Sequence, residues 1–404
     1  MTVLPSYEEA LGAALSVAKL VCNTETVTFS AATAGAVGRT LAEDIVADRD
    51  QPPFDRSTMD GYAVKAREVS SGASMQVIGE VASGAMFDGE IPPNSCVAIA
   101  TGAPVPKGFD AVVPHEQTDN STDVVRFEVD EVTEGASIHP KGADARAGDV
   151  LIAKHTVLSP QHIGIIASVS SDAVQVISKP RVIVMTSGDE VVGQGETPQH
   201  HQIRNGNNPM VCALFTAMGC EVVGSSHVVD DPDKTNACIA EALSGSADLV
   251  VTIGGISAGK RDYFPAAFSS AGVDLVVKGA SVQPGKPVIV GSCDQTVVLG
   301  LPGNPVSALV CSTIFGWPIV KQMQGINSDL PWQPAPLGNA VKPNPKRLAF
   351  RPCLLVDGEV TVPSWQGSGD LVHTGATNGL VQLPPSDSEL QKGTNVQCLA
   401  YPWC

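Results

Sequence analysis

The sequence predicts a multidomain protein of the α/β plus β class, in which a parallel α/β domain is flanked by β-rich regions. The chain has 404 residues, and at roughly 100–200 residues per domain this length predicts two to four domains. Between about 180 and 323, strand-like apolar runs alternate with helical stretches, which is typical of a parallel sheet with helices on both faces. Short β-type runs punctuated by turn residues dominate from about 40 to 150 and again from about 338 to 404.

The first predicted element is an amphipathic helix near the N-terminus. The stretch SYEE (6–9) is a capping-box pattern, with Ser6 as the N-cap and Glu9 three residues later. Apolar residues then recur at helical spacing, at Leu11, Leu15, Ala18 and Val21. Further along the chain, SPQHIGIIAS (159–168) predicts a short helix and AVQVI (173–177) predicts a strand.

The alternating segment contains four predicted strand–helix pairs. The strands are RVIVMT (181–186), EVVGSSHVV (221–229), DLVVTIGG (248–255) and TVVLGL (296–301). A predicted helix follows each strand, near 209–218, 230–245, 263–271 and 302–317. The proline-rich stretch DLPWQPAPLG (329–338) then predicts a linker to the C-terminal β region.

The composition argues against several function classes. The formal net charge of −17 disfavours a broad surface for nucleic acid or acidic membranes, whereas a small anionic ligand needs only a local positive pocket. The ten cysteines include no CxxC pair and no zinc-site spacing, so we expect reduced thiols in a cytoplasmic protein. We expect neither a signal peptide nor an apolar run of the roughly 18–20 residues that a transmembrane helix needs.

The ends of the four predicted strands share a polar, acidic or glycine-rich character. Ligands of open parallel sheets bind outside the carboxyl ends of the strands, so we expect these ends to line one pocket. The same residue types also form ordinary turns. The candidates are Ser187, Gly188, Asp189 and Glu190 after the first strand, Asp230 and Asp231 after the second, Gly254, Gly255, Ser257, Gly259 and Asp262 after the third, and Pro302, Gly303 and Asn304 after the fourth.

The segment GGISAGKRD (254–262) favours an oxyanion ligand. Its glycines allow close backbone approach, and N–H groups at the start of the following helix favour phosphate. Ser257 adds a hydrogen-bond donor, and Lys260 and Arg261 add positive charge. Asp262 either caps the following helix or binds a divalent cation that bridges to phosphate. In PGKP (284–287), Lys286 lies between two prolines and is a further candidate for binding phosphate.

Two further motifs lie in the first β region. FDRSTMDGYAV (54–64) contains Asp60, and KGADARAGDV (141–150) contains Asp144. Each motif contains turn residues, and turn formation alone would account for both.

Taken together, these segments resemble the signature of a known family. FDRSTMDGYAV, KGADARAGDVL, TSGDE, VDDP, GGISAGKRDY, PGKP and GLPGNPVSA occur in this order along nearly the whole chain. They are similar to segments of the molybdopterin molybdenumtransferases, namely the bacterial MoeA proteins and the C-terminal enzyme domain of gephyrin. The resemblance implies a discontinuous helical/β domain (1–44 and 146–179), an inserted β domain (45–145), a Rossmann-like, molybdopterin-binding α/β domain (180–327) and a C-terminal β domain (328–404).

The resemblance also implies a reaction: molybdenum insertion into the dithiolene of adenylylated molybdopterin, with AMP release, molybdate as substrate and Mg²⁺ or another divalent cation as cofactor. The implied catalytic acids are Asp60, Asp144, Glu190, Asp230 and Asp262, of which the last three are the candidate metal ligands. The implied substrate contacts are Ser187, Gly188, Gly254, Gly255, Ser257, Gly259, Lys286, Gly303 and Asn304. Molybdate candidates, by proximity of motif, are Arg56, Ser57, Lys260 and Lys286.

The implied partners are a second copy of the chain, the molybdopterin adenylyltransferase and downstream molybdoenzyme chaperones. In the implied homodimer, the 54–64 segment of one subunit faces the α/β domain of the other. The chain departs from the family pattern at Ala143, at Lys260-Arg261 and at Gln283, where a lysine is common. The alternatives are a molybdopterin adenylyltransferase, whose core resembles 180–327, and a non-catalytic scaffold of the gephyrin kind.

Overall fold

The computed structural model describes residues 3–28, 35–169, 172–257, 259, 262–364 and 366–403. The chain divides into two units. The first comprises Met1–Val27, Gly38–Ala42 and Gln175–Cys404, and the second comprises Thr28–Val37 and Glu43–Val174.

The helices and strands of the described residues follow in chain order. The α-helices are α1 (Tyr7–Val17), α2 (Pro160–Ser168), α3 (Asn207–Ala217), α4 (Pro232–Ser244), α5 (Phe264–Ser270), α6 (Pro305–Cys311) and α7 (Trp317–Met323), and a π-helical stretch, Ser312–Gly316, joins α6 to α7. The strands of the N-terminal half are β1 (Thr24–Thr28), β2 (Ile45–Val46), β3 (Arg56–Ser57), β4 (Gly61–Val64), β5 (Ser74–Val81), β6 (Ser95–Ile99), β7 (Ala111–Pro114), β8 (Val124–Arg126), β9 (Ile138–His139), β10 (Val150–Ile152) and β11 (Ala173–Ile177). The remaining strands are β12 (Arg181–Ser187), β13 (Val191–Val192), β14 (Ile203–Arg204), β15 (Glu221–Val228), β16 (Leu249–Ile253), β17 (Asp274–Lys278), β18 (Val282–Gln283), β19 (Ile289–Cys293), β20 (Thr296–Leu301), β21 (Gln333–Pro336), β22 (Leu348–Val356), β23 (Glu359–Thr361), β24 (Gly379–Leu383) and β25 (Asn395–Ala400).

A mixed sheet lies at the centre of the first unit. Across the described residues its six strands run in the order β15-β12-β16-β20-β19-β17, and the first four are parallel. Strands β16 and β20 are buried along their whole length, which explains why LVVTI and TVVLGL are continuous apolar runs rather than alternating ones. The predicted α/β core is therefore confirmed.

Helices cover both faces of this sheet, as predicted. On one face, α1, α3, α6 and α7 pack on the sheet around Phe215 and Phe315. On the other face, α4 and α5 contribute Ile239, Phe264 and Phe268. Since each face of the sheet is closed by helices, the strand ends are the part of the sheet open to a ligand.

The predicted parallel sheet carries two antiparallel strands at one edge. Strand β19 pairs antiparallel with β20, and β17 pairs antiparallel with β19. The β19–β20 connection is a tight turn in which Asp294 adopts a positive φ of 53°. These two strands were not predicted because their short apolar runs lie among glycine and proline residues, where no helix separates them from the next strand.

Helix α1 begins at the predicted capping box. Ser6 N donates to Glu9 Oε2 at 2.8 Å, and Glu9 N donates to Ser6 Oγ at 3.1 Å. The buried Tyr7 hydroxyl donates to the Ile314 carbonyl at 3.1 Å, which fixes the helix on the α/β layer of the first unit. The predicted domain boundaries group this helix with 146–179, and they stay a prediction.

The expectation that no apolar run is long enough to cross a membrane needs correction. In the described residues, the helical stretch Pro305–Met323 has 19 residues and is long and apolar enough to cross a membrane, judged by length and composition alone. However, 83% of its most apolar 18-residue segment is buried inside the protein, as expected for a core helix.

The second unit is mainly β, as predicted. Its described strands form a five-stranded sheet in the order β7-β4-β6-β5-β8, and Tyr62, Met75 and Phe127 fill its core. The pairs β3–β9 and β2–β10 are two-stranded, and the predicted short helix is α2. In β3–β9, Arg56 lies opposite His139.

The C-terminal residues form a β region, also as predicted. The described strands run in the order β18-β22-β24-β25-β21, with β23 paired to β22. Strand β18 lies within the α/β segment, between β17 and β19, and pairs parallel with β22. This pairing anchors the PGKP loop, which follows β18 directly.

Candidate active site

A pocket of about 430 Å³ lies at the carboxyl ends of β12, β16 and β20. Its lining includes most of the residues expected at the strand ends: Ser187, Gly188, Glu190, Asp230, Gly254, Gly255, Ser257, Asp262, Gly303 and Asn304. Ile256, Pro287 and Pro302 complete it. The structure thus brings these residues together, as the strand-end rule anticipates, while their chemical roles remain predictions.

Two glycine loops approach each other at the floor of the pocket. Gly254 adopts a φ of +82° and donates its N–H to the Leu301 carbonyl at 3.0 Å. A Cβ placed on Gly303 would lie 3.4 Å from the Gly254 Cα, so the loops after β16 and β20 meet backbone to backbone. Helix α6 begins immediately after Asn304, and the positive end of its dipole therefore favours an anion in this pocket.

Gly255 is a pocket position where a side chain would meet both strain and close neighbours. Its φ is +59°, and a Cβ there would lie 2.7 Å from Ser187 Oγ and 3.1 Å from Phe264 Cδ2. We expect Gly255→Ala to lower the free energy of unfolding by about 1–3 kcal/mol and to weaken ligand binding, because Ser187 or the loop must move. Thermal denaturation and titration calorimetry would measure both effects. Gly12→Ala, in α1 and with open space around its Cβ, is the matched control and should lower neither quantity.

Asp262 does not cap the following helix, so that alternative is wrong. Helix α5 begins after Tyr263 and has no side-chain cap. The Asp262 carboxylate turns back instead and accepts the Gly259 N–H at Oδ2 over 2.7 Å, which closes the glycine loop. The loop closure places the carboxylate in the pocket lining. Lys260 and Arg261 lie outside the described residues.

The three predicted metal ligands, Glu190, Asp230 and Asp262, all line this pocket. Among the described residues, no group of three or more His, Cys, Asp or Glu side chains is arranged as a metal site by itself. This donor set fits Mg²⁺, which binds proteins through one or two carboxylates and takes its other ligands from water and substrate phosphates.

A second pocket of about 400 Å³ adjoins the first and shares Ile256, Ser257 and Pro287 with it. Lys278 and Lys286 bring two ammonium groups to its lining, which includes no carboxylate among the described residues. Within the same part of the chain, neither ammonium forms a salt bridge or hydrogen bond. Lys286 was predicted from the sequence, whereas Lys278 was missed because it ends β17, one of the two unpredicted strands.

Two residues that sequence analysis missed hold the loop after β20. Asn207 Nδ2 donates to the Gly303 carbonyl at 2.7 Å. Asn304 Nδ2 donates to Ser368 Oγ at 2.9 Å, across 64 residues of sequence. The C-terminal β region therefore supports the pocket, which no local sequence pattern could reveal.

The predicted acids Asp60 and Asp144 belong to the second unit, whereas the two pockets are lined by the first unit alone. Thr101 N donates to Asp60 Oδ1 at 2.6 Å, and this hydrogen bond holds the pKa of the Asp60 carboxyl below its usual range. Asp60 is therefore a carboxylate at neutral pH. Asp144 Oδ1 lies 2.8 Å from His139 Nε2.

Comparisons with known proteins decide the family. The chain matches three family models: the MoeA N-terminal region (domain I and II) over 5–170, a probable molybdopterin binding domain over 183–322, and the MoeA C-terminal region (domain IV) over 334–401. It is 31% identical to a molybdopterin molybdenumtransferase of Synechocystis sp., over 91% of this chain and 93% of the relative. It is 34% identical to molybdopterin molybdenumtransferase 2 of Mycobacterium tuberculosis, over 90% and 92% respectively.

The chain belongs to the molybdopterin molybdenumtransferase (MoeA) family. The crystal structure of a MoeA protein from Pyrococcus horikoshii covers 99% of this chain and 99% of its own length, with a TM-score of 0.83 and 28% sequence identity. The predicted MoeA resemblance and the multidomain α/β plus β fold are therefore confirmed. As a MoeA family member, the chain is a transferase enzyme.

Proposed function

We propose that this protein inserts molybdenum into adenylylated molybdopterin, releases AMP and forms the molybdenum cofactor. The observation that carries this proposal is the pair of adjoining pockets. One pocket is glycine-rich and acidic, and the other carries two ammonium groups. The adenylylated pterin and molybdate would therefore bind in separate, adjoining pockets.

The first pocket suits the pyrophosphate of the adenylylated pterin. Gly254, Gly255 and Gly303 allow phosphate oxygens to approach the backbone, and the start of α6 adds a favourable dipole. Three carboxylates alone would repel a pyrophosphate. Glu190, Asp230 or Asp262 would hold Mg²⁺, which would supply the charge neutralisation and the polarisation of phosphorus that this reaction needs. A carboxylate that does not hold the metal would orient a water molecule and take its proton. The water oxygen bonds to the phosphorus of the AMP moiety as the P–O–P bond breaks, so that AMP leaves and the other phosphate stays on the pterin.

The second pocket suits molybdate, which is a dianion. Lys278 and Lys286 supply positive charge, and Ser257, on the boundary between the pockets, supplies a hydroxyl donor. Apolar side chains such as Leu275 and Ile289 form much of the remaining lining. Lys278 thus supplies a second cation beside Lys286 in this pocket.

The acids of the second unit complete the proposed site in a homodimer, in which the 54–64 segment of one subunit faces the α/β domain of the other. This arrangement gives Asp60 and Asp144 a role beyond turn formation. The nine described cysteines form no disulfide, which supports the proposal of a cytoplasmic enzyme. The adenylyltransferase that makes the adenylylated pterin, and the chaperones that accept the cofactor, are the proposed partners.

A single-turnover assay tests the proposal. Purified protein is mixed with adenylylated molybdopterin, Mg²⁺ and either molybdate or buffer, and AMP is followed over time. We expect AMP release that depends on molybdate. AMP release at the same rate without molybdate would instead indicate a nucleotide-hydrolysing relative.

A further inference from the structure

The Asp144 carboxylate is held by a histidine of its own unit. His139 Nε2 lies 2.8 Å from Asp144 Oδ1. About a third of the His139 side chain is exposed, and 58% of the Asp144 side chain is exposed. In the part of the chain that the structure describes, this imidazole makes the side-chain contact that fixes the direction of the Asp144 carboxylate. An exposed carboxylate without such a contact would sample several rotamers.

His139 is itself rigidly placed. It lies in β9, directly opposite Arg56 of β3. Two residues before His139, the Ser137 carbonyl accepts the Thr58 N–H at 2.9 Å. On the other side of the loop, Asp144 N donates to the Gln51 carbonyl at 2.9 Å. Both ends of the loop are therefore pinned to the segment 51–58, so the imidazole and the carboxylate are set at a fixed separation.

We propose that His139 is a positioning residue for Asp144 and makes the rate of molybdenum insertion depend on pH near neutrality. This inference rests on the proposed function, in which Asp144 is an active-site acid. Imidazole is the side chain whose ordinary charge change falls between about pH 5 and 8. A protonated imidazole donates a charge-assisted hydrogen bond to the carboxylate, and a neutral one donates a weaker bond in one of its two tautomers.

The other charged groups near His139 are Arg56, Lys141, Asp55 and Asp50. Arg56 lies across the strand pair and keeps its charge. Asp55 Oδ1 accepts the Lys141 N–H at 2.8 Å, and the Lys141 ammonium lies 3.4 Å from the Asp50 carboxylate. Backbone and lysine contacts lower the pKa of Asp50, so it is ionised throughout. Among these side-chain types, imidazole is the one whose ordinary charge change falls near neutrality.

The direction in which kcat changes with pH follows from the His139–Asp144 hydrogen bond. Raising the pH removes the imidazole proton, weakens the hold on Asp144 and lowers kcat. His139→Arg carries a permanent charge, so we expect its kcat to persist to higher pH than that of the natural protein. His139→Gln donates only a neutral hydrogen bond, so we expect a kcat about tenfold lower at acid pH and little change with pH. KM for both substrates should change little, because Asp144 is oriented rather than replaced.

The test measures molybdate-dependent AMP release between pH 5.5 and 9 for the full-length protein and for His139→Arg, His139→Gln, Asp144→Asn and the exposed-histidine control His200→Gln. Thermal melts verify folding, and the shape of each pH profile, rather than its height, is compared. The expected result is an alkaline loss of kcat in the natural protein and in His200→Gln that His139→Arg removes. If Asp144→Asn is inactive but both His139 variants keep the natural profile, this inference is wrong. If Asp144→Asn is fully active, it is the proposed role of Asp144 that is wrong.

Discussion

Replacing Asp262 with asparagine is expected to lower the rate of molybdate-dependent AMP release by about a hundredfold or more, because metal-assisted charge stabilisation amounts to several kcal/mol. Asp262 Oδ2 accepts the Gly259 N–H, and the amide oxygen of asparagine can accept the same bond. The glycine loop should therefore keep its conformation while the pocket loses one negative charge. Single-turnover kinetics with increasing Mg²⁺ would show the loss and its partial recovery at high metal concentration.

Two further variants separate the charge of Asp262 from its structural contact. Asp262→Ala removes both the charge and the hydrogen bond, so it should also lower the thermal stability. Asp387→Asn removes a negative charge from an exposed C-terminal loop and should leave the rate unchanged. If Asp262→Asn releases AMP at the natural rate, the residue is a loop-closing acid and has no part in catalysis.

The double change Lys278→Ala and Lys286→Ala is expected to raise KM for molybdate about a hundredfold, since each charge-assisted hydrogen bond contributes about tenfold or more to anion affinity. Both ammonium groups line the second pocket, whose described lining lacks a carboxylate to compete with molybdate. The affinity for adenylylated molybdopterin should fall much less, because its pyrophosphate occupies the neighbouring pocket. Initial rates at varied molybdate and calorimetric titration of the pterin would measure the two effects separately.

Single variants measure how much an individual lysine contributes to molybdate binding. Lys278→Ala alone should raise KM for molybdate about tenfold, because it removes one of the two ammonium groups of the pocket. Lys346→Ala, which removes an exposed lysine elsewhere in the first unit, should have no effect. An equal loss of pterin and molybdate affinity in the double variant would contradict the assignment of separate pockets.

The strand-end residues of the first pocket could be predicted because the physics of the parallel sheet places them together. RVIVMT, DLVVTI and TVVLGL have the apolar character of buried strands. Ser187 and Gly254 follow the first two directly, and Gly303 follows the third after one proline. No contact had to be known for that prediction, since parallel strands joined by helices end at the same edge.

The residues that were missed depend on contacts that no local pattern encodes. Lys278 lies in the second pocket because β17 joins the sheet antiparallel through β19, and neither strand was predicted. Ser368 supports Asn304 across 64 residues of sequence. Asp262 matched the pattern of a helix cap, but its carboxylate accepts the Gly259 N–H instead of an N–H of α5. For Lys278 and Ser368 tertiary packing decided the outcome, whereas for Asp262 a local hydrogen bond three residues back did.

The fate of molybdenum in a single turnover tests the central claim most directly. The protein is mixed with adenylylated molybdopterin, Mg²⁺ and molybdate, and the AMP released and the molybdenum bound to the pterin are measured in the same sample. The proposed function predicts equimolar amounts of the two that appear together. AMP release without molybdenum on the pterin, or molybdenum uptake without AMP release, would contradict it.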